Sequence, residues 1–385
     1  MQKGKTIFLT VTNDLVYDQR MHRICGSLVG AGYQVTLVGR LLPDSLPLSN
    51  KPYQQVRLFC HYQKGKLFYL EYNFRLYKFL KNQAMDAICA IDLDTIVPVY
   101  LVSKKKSLPR MYDAHEFFTE MIEVKRRPHI HFIWKKIEQW LVPKFKNGYT
   151  VGQAIANDLK HLYGVDYYLV RNIPRYSIPI NPGAIQPPIV KQIMANFDAQ
   201  CSPDLPFILY QGAINEGRAL HALADAMKGV NGRLLLAGNG NLESEIRHYI
   251  KANSLEHKIY MCGMVTPDNL RYLTSLCYVG ITIFDAFSKN QFYSLANKFF
   301  DYIMALKPQV CVNYPEYAAI LKQYSVAEPL LNTDVKSICI ALNNLVNNPV
   351  LYENLQNTCI LASKQLNWEA EEQTLLAAWD TLFNE

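Results

Sequence analysis

Apolar residues in this chain come in short bursts separated by stretches of mixed polarity. TIFLTV at 6–11 is strand-sized, RMHRICGSLVGAG places its apolar residues at helical spacing, and YQVTLVGR at 33–40 is strand-sized again. Together they predict a β-α-β opening. Further runs at DAICAID (86–92) and PRMYDAH (109–115) continue the alternation, which is the pattern of a parallel sheet covered by helices on both faces.

The alternation pauses where Pro174, Pro179, Pro182, Pro187, Pro188, Pro203 and Pro206 accumulate, and then restarts. FILYQG (207–212), RLLLAGNG (233–240), KIYMCGM (258–264), VGITIF (279–284) and PQVCVNY (308–314) are the new strand candidates, with helices near 218–229, 242–253 and 296–305. The pattern predicts an α/β chain of two doubly wound units: residues 1–172, a proline-rich linker over 173–206, then residues 207–366. A closing helix over 367–385, with Trp368, Leu375, Trp379 and Leu382 at near-helical spacing, is expected to pack across the domain junction. Open α/β sheets take ligands at the carboxyl ends of their strands, so the loops after the strands are where chemistry is sought.

With 385 residues, half of them hydrophobic and 19% charged, the chain has room for two ordinary cores; 18 Gly and 19 Pro exclude a fibrous or low-complexity protein. No apolar run reaches the roughly 18 residues of a membrane span. Lys3 and Lys5 precede only the short run IFLTV, so export through a signal peptide is not expected. Nine scattered cysteines without a C-x-x-C pair predict free thiols in a reducing cytoplasm rather than a disulfide framework or a zinc site.

Charge changes the picture more. Residues 1–172 carry 25 Lys and Arg against 14 Asp and Glu, whereas 173–385 carry 15 against 19. The two halves should therefore have different partners. Two aromatic-rich stretches concentrate the excess, 61–82 at net +4 and 125–146 at net +6. In the second, Ile130, Ile133, Trp134, Ile137 and Leu141 fall on one helical face, predicted to be the core face, with Lys135, Lys136 and Gln139 on the others. Lys125, Arg126 and Arg127 lie just before it, so peripheral attachment to an anionic membrane is expected, each basic residue near such a surface contributing about 1 kcal/mol. No nucleic-acid module is recognisable.

A dinucleotide fingerprint needs three spaced glycines at a strand-to-helix turn, and the first turn, VTNDLVYDQR, has none. AGNGNLESEI follows a strand and opens a helix, but Gly238 and Gly240 lack a third glycine in register, so a phosphate loop and a plain tight turn are equally open. More specific is SKNQFYSLANKFFDYIMALKPQV at 288–310, a polar loop entering a helix. Free N–H groups near Ser294 to Asn297, joined by the charge of Lys298, suit a diphosphate. Asp301, one turn further, could accept hydrogen bonds from ribose hydroxyls. A capped helix with a solvated Lys and Asp is the plainer alternative.

YQGAINEGRAL, LLLAGNGN and YSLANKFFDYIMALKPQV, preceded in the first half by MYDAHEFFTE and VRNIP, occur in the order seen in the retaining glycosyltransferases of family 4. The chain resembles that family over nearly its whole length. The resemblance implies the GT-B architecture, two doubly wound Rossmann-like domains facing a central cleft. It further implies metal-free, cofactor-free sugar transfer with retention, from a nucleotide-sugar held by the second domain to an acceptor held by the first.

Residue by residue, Arg218 matches the arginine that binds the donor diphosphate. Leu223 stands where its lysine partner usually falls, and Lys298 is expected to supply the missing charge. Asp301 matches the second acid of the family's paired signature, while Tyr293 replaces the first, so the contact to the sugar is altered. The backbone at Ser294 and Leu295 matches the loop facing the diphosphate, and Gly263, Met264 and Val265 match the contacts to the base. His115, in DAHE, looks like the histidine that meets the donor sugar. Asp92 and Asp94, in IDLDT, have the spacing of a metal-binding pair but are read as cleft-lining or capping residues. Asn13, Asp14 and Arg20, in the first loop, are assigned to acceptor or donor contact.

In the implied mechanism the leaving diphosphate oxygen takes the acceptor proton, Arg218, Lys298 and the helix N-terminus stabilise the developing charge, and His115 positions the sugar. The acceptor is expected to be lipid-linked or an oligosaccharide, in cell-envelope or surface-polysaccharide assembly, and the protein to be cytoplasmic, at the inner face of the membrane. A nucleotide-sugar epimerase of the same fold and a non-catalytic sugar-nucleotide-binding protein are the alternatives, the latter made plausible by Tyr293 and Leu223.

Overall fold

A computed structural model describes residues 4–16, 18–181 and 183–384; of the residues named above, Lys3 and Pro182 lie outside it. The chain begins with β1 (Thr6–Thr10), α1 (Gln19–Gly30), β2 (Gln34–Leu41), β3 (Gln54–Phe59), α2 (Gly65–Lys81), β4 (Ala87–Ile91) and α3 (Ile96–Lys106). It continues through β5 (Arg110–Ala114), α4 (Ile122–Lys125), α5 (Pro128–Leu141), β6 (Asn147–Thr150), α6 (Gln153–Tyr163), β7 (Tyr168–Leu169) and α7 (Pro188–Gln200). Then follow β8 (Phe207–Gln211), α8 (Leu220–Ala226), β9 (Arg233–Ala237), α9 (Glu243–Ala252), β10 (Ile259–Gly263), α10 (Pro267–Leu276) and β11 (Val279–Thr282). The last elements are α11 (Lys289–Phe292), α12 (Asn297–Met304), β12 (Gln309–Val312), α13 (Pro315–Gln323), β13 (Ala327–Leu330), α14 (Val335–Asn347), α15 (Pro349–Ser363) and α16 (Trp368–Asn384).

These elements form two compact units. One is built on residues up to Asn172 with Ser288–Asn290 and α16, the other on Ile173–Phe287 and Gln291–Asn367. The first holds a parallel sheet of seven strands in the order β3-β2-β1-β4-β5-β6-β7; the second holds six, β10-β9-β8-β11-β12-β13. Central strands such as AICAI and RLLLA are buried along their whole length, as strands covered on both faces must be. The strands that the apolar pattern does not announce are β3, which is half-exposed, the very short β6 and β7, and β13, whose AEPL carries a proline.

The proline-rich stretch and the closing helix each contribute to a core. The proline-rich stretch contains a helix, α7, which starts with Pro188 at its first turn and buries Val190, Ile193 and Phe197 in the second unit's core. The closing helix is a core element of the first unit: Trp368 and Trp379 are buried there beside Met21 and Ile24. Trp368 Nε1 donates to Ser27 Oγ at 2.9 Å, and Arg171 pairs with Glu371 at 2.6 Å. Among the described residues no helix is long and apolar enough to cross a membrane, and the nine cysteines are unpaired.

Candidate functional site

In the second unit strand order reverses between β8 and β11, and the loops at the carboxyl ends of these strands carry the predicted chemistry. The loops after β8 and β9 are zipped together by backbone. Gly212 N–H donates to Ala237 O at 2.9 Å and Ile214 N–H to Asn239 O at 2.9 Å. At Gly238, φ is +146° and a Cβ would sit 1.9 Å from Gly212 O; at Gly240 it would sit 2.2 Å from Asn215 Oδ1. Both glycines are thus required by loop packing, and what they position is the segment that leads to Arg218.

Arg218 lies just before α8, its guanidinium carbon 5.9 Å from the Phe284 ring centroid. Lys298, in the first turn of α12, is only 9% exposed, and its Nζ lies 3.8 Å from the Tyr210 ring centroid. Each cation faces an aromatic ring, and neither has an ion-pair partner among the described residues. Burial, then the charge of Arg218, hold the Lys298 ammonium well below its ordinary pKa of 10.5. Two basic side chains therefore lie at the edge of this sheet with no carboxylate paired to either among the described residues, and each makes the other harder to charge. Leu223, by contrast, faces the core of α8, where a lysine would have to be buried.

Asp301 is held from the strand side: Gln211 Nε2 donates to its Oδ2 at 2.9 Å, and Thr274 Oγ1 donates to Gln211 Oε1 at 2.8 Å. The loop before α12 differs from expectation. The helix begins at Asn297, after the separate turn α11, and the Ser294 N–H, expected to be free, donates to Gln291 O at 3.2 Å. Ala296 N–H is likewise used, donating to the Tyr317 hydroxyl at 2.8 Å. Leu295 packs on the core, and Tyr293 is half-buried beside Phe292. Gly263 ends β10 with φ +78°, Met264 is 73% exposed, and Val265 packs on a core cluster.

The first unit reverses its strand order between β1 and β4. There Thr12 Oγ1 donates to Asp94 Oδ2 at 2.6 Å, and burial pushes the Asp94 carboxyl up to about 6 against the pull of that bond. Asp92, at φ +57°, accepts from Glu116 N–H at 2.9 Å; burial and then the charges of Asp94 and Glu116 raise it well above the usual carboxylate range. His115 follows β5, and burial, then the Arg20 charge, lower its pKa, so the imidazole is neutral near pH 7. Asn13 is exposed and donates to Asp18 Oδ2 at 3.1 Å, while Asp14 accepts from Val16 N–H at 3.0 Å and lies 3.7 Å from Arg57.

Arg20 is corrected outright. It sits in α1, turned inward and 2% exposed, with Nη2 and Nε on the two Asp113 oxygens at 2.9 and 3.2 Å and Nη1 on Val170 O at 3.0 Å. A guanidinium so occupied is a core fastening, not a ligand contact. On α5, Ile133 of the predicted core face is exposed, while Glu138 is buried and binds Thr119 Oγ1 at 3.0 Å and Lys135 Nζ at 2.6 Å. Lys135 is thereby removed from the free basic face. Among the described residues no group of three or more His, Cys, Asp or Glu is placed to hold a metal ion.

Tyr210, Gln211 and Phe284 were not singled out by sequence, although YQG at a strand end is where such partners belong. The second unit's edge can thus take an anion, and the first unit's edge presents mostly hydrogen-bond acceptors.

Residues 19–175 match the model of the family described as Glycosyltransferase Family 4. No curated protein sequence matches the chain. Among solved structures, sucrose-phosphate synthase from Thermosynechococcus elongatus superposes with a TM-score of 0.76 at 14% identity, covering 99% of each chain. A glycosyltransferase from Rickettsia africae gives 0.72 at 12%, covering 100% of this chain and 99% of that one. Anabaena HepE in complex with UDP and glucose gives 0.72 at 11%, covering 98% and 99%. The fold is therefore GT-B, with two Rossmann-like units.

Proposed function

We propose that the protein is a retaining glycosyltransferase whose second unit holds a nucleotide-sugar by its diphosphate and whose first unit holds the acceptor. The observation that carries this reading is the pair Arg218 and Lys298, two basic side chains without an ion-pair partner among the described residues at the switch point of a GT-B sheet. The family match over the first unit and the likeness to HepE with UDP and glucose support it. In the reaction the bond from the anomeric carbon to the diphosphate oxygen breaks and one to the acceptor oxygen forms on the same face. The acceptor proton passes to the leaving phosphate oxygen. Arg218 and Lys298 take up the charge that develops there, Asp301 binds ribose, and neutral His115 positions the sugar without acting as a base. The reaction uses hexosyl donors and needs neither metal nor cofactor.

UDP and UDP-glucose are the first probes. Arg218→Ala should weaken both alike, by about 1.5–3 kcal/mol, because the lost contact is to phosphate. Unchanged affinity for both, measured by calorimetry, would refute the donor site. His115→Ala should depress transfer to an acceptor extract and leave UDP affinity nearly intact.

The acceptor is lipid-linked or an oligosaccharide of the cell envelope, reached by peripheral attachment of the first unit at the inner face of the membrane. What favours this is the surface of α2 and α5, where exposed Leu67, Leu70, Phe74, Phe132, Ile133 and Trp140 stand among lysines. Binding to anionic vesicles should fall steeply with salt, since the screening length is about 8 Å at physiological ionic strength. Changing Arg126, Arg127 and Lys136 to Gln should abolish most of it, whereas Lys125→Gln or Lys135→Gln alone should change little, since these pair with Glu120 and Glu138. Failure of the wild-type protein to bind such vesicles at low salt would remove the membrane from the proposal.

A further inference from the structure

The first unit's carboxyl edge holds one group that its carboxylates do not explain. Arg40, at the end of β2, has its Nε enclosed with no hydrogen-bond partner. Its guanidinium carbon lies 4.2 Å from the Phe68 ring centroid. Beyond that stacking contact, the side chain has neither a hydrogen bond nor an ion pair among the described residues. A guanidinium carries five donors and is always charged; on this half-exposed side chain Nε is shut off from water without an acceptor, a loss that only the Phe68 ring offsets in part. Among the described basic residues up to Asn172, Lys5, Arg20, Arg57, Arg75, Lys125, Lys135, Lys160 and Arg171 do find carboxylates. Arg40 stands apart from them.

Its surroundings are those of a binding edge. The helix α2 lies over the ends of the sheet: the Tyr72 hydroxyl donates to Val11 O, and Asn73 Nδ2 donates to Asp94 O at 2.9 Å. Between these, Tyr69 feels both charges, Asp94 raising its phenol and Arg40 lowering it, after the larger effect of burial. The Tyr69 ring is fixed edge-on against Trp134 at 5.4 Å, and its hydroxyl has no hydrogen bond among the described residues. Arg40 and Tyr69 are therefore donors without acceptors, beside the switch point where β1 and β4 diverge.

We infer that Arg40, with the Tyr69 hydroxyl, is a subsite for a phosphate group on the acceptor, the guanidinium fork taking two phosphate oxygens while Asp94 and Thr12 remain for sugar hydroxyls. This rests on the first unit being the acceptor unit, and it names the acceptor class: a sugar that already carries phosphate. The phosphate could belong to a soluble sugar phosphate or to a membrane-borne lipid phosphate, because both present the same oxygens to the fork.

The test separates this subsite from the donor site by working in Arg218→Ala, so that phosphate binding there is weakened. Inorganic pyrophosphate is titrated into Arg218→Ala and into Arg218→Ala/Arg40→Gln, and both proteins are mixed with phosphatidylcholine vesicles with and without phosphatidic acid. Loss of at least tenfold in pyrophosphate affinity on adding Arg40→Gln supports a subsite open to soluble phosphate. Loss confined to the phosphatidic acid vesicles assigns the same subsite to a lipid phosphate. No dependence on Arg40 in either arm overturns the inference. Arg40→Gln in the otherwise unaltered protein should keep its UDP affinity, so a failed donor site, read from Arg218→Ala and UDP, is distinguishable from a failed acceptor subsite. Arg40→Met serves as the control for folding. Removing an unanswered guanidinium should leave the melting temperature equal or higher, and a marked drop would make Arg40 a structural residue and sink the proposal.

Discussion

The carboxyl edges of the two sheets are built on the same winding and charged in opposite ways. At the first, Asp14, Asp92, Asp94 and Asp113 gather, and the fold engages each of them: Arg20 grips Asp113, Thr12 bonds Asp94, the Glu116 amide bonds Asp92, and Arg57 lies near Asp14. At the second, Arg218 and Lys298 have no carboxylate paired to them among the described residues, and each lies against a ring. A charge answered by an opposite charge within the fold, as Asp113 is by Arg20, is committed to stability, and its removal is paid in unfolding. A charge left unanswered costs stability and is available to a ligand, so its removal should do the reverse. Arg40, against the Phe68 ring and without a carboxylate among the described residues, is a place in the first unit that follows the rule of the second.

The largest effect should come from breaking the buried pair. Arg20→Met leaves the Asp113 carboxylate enclosed, which costs about 3–5 kcal/mol. Urea unfolding should show this loss, and Arg20→Met/Asp113→Leu should recover most of it. A loss under about 1 kcal/mol would mean that Arg20 is not the fastening described here.

Asp94 sharpens the contrast, because it is bonded yet held up at about 6. In the unfolded chain an aspartate titrates near 3.9, so the folded state binds this proton more tightly. Stability from this group therefore falls as pH rises from about 4 to about 6, by about 3 kcal/mol in all, and the penalty is complete above that window. Asp94→Asn can still accept from Thr12 without the charge. It should match the wild type below about pH 4 and be more stable above pH 6; equal stability at pH 7.5 would show that the carboxyl is not raised.

The contrast was partly legible in sequence. Alternating apolar runs announced both sheets, because strands buried on both faces must be continuously apolar, whereas the short strands β6, β7 and β13 carry too little pattern to be read. NEGRAL and ANKFFD pointed to Arg218 and Lys298, since a motif records residue type and order. What a motif does not record is direction. Arg20 turns inward because Asp113 lies ninety-three positions away at the end of β5, and Ser294 spends its amide on Gln291 within its own loop. Gly238 looked like half a phosphate fingerprint because the constraint upon it, the Gly212 carbonyl, comes from another strand. Arg40 carried no signal at all, for an orphaned donor is visible only once every possible partner has been placed.

Lys298→Met should behave oppositely to Arg20→Met. The buried ammonium has only the Tyr210 ring beneath it, so an apolar side chain of similar length should hold or raise stability near neutral pH. The same change should cost about 1.5–3 kcal/mol of UDP affinity if Lys298 answers a phosphate. A variant that is destabilised and still binds UDP normally would place Lys298 with the structural charges of the first unit and erase the comparison.

The smallest expected effect is a proton. Burial and the Arg218 charge depress the Lys298 ammonium in the free protein, so its proton is held less tightly than in an exposed lysine. A diphosphate arriving beside it supplies the missing opposite charge and raises that pKa again. Between the free and bound values, binding must therefore take up protons, and affinity must fall as pH rises through that window. UDP can be titrated at a series of pH values above about 8, where a terminal phosphate with a second pKa of about 6 is fully ionised and contributes no proton of its own. The heat of binding should then differ between two buffers of unlike ionisation enthalpy, by less than one proton's worth per UDP, and the difference should vanish in Lys298→Met. Equal heats in both buffers for the wild-type protein would mean that Lys298 does not change its charge on binding, and the unanswered cation of the second unit would be Arg218 alone.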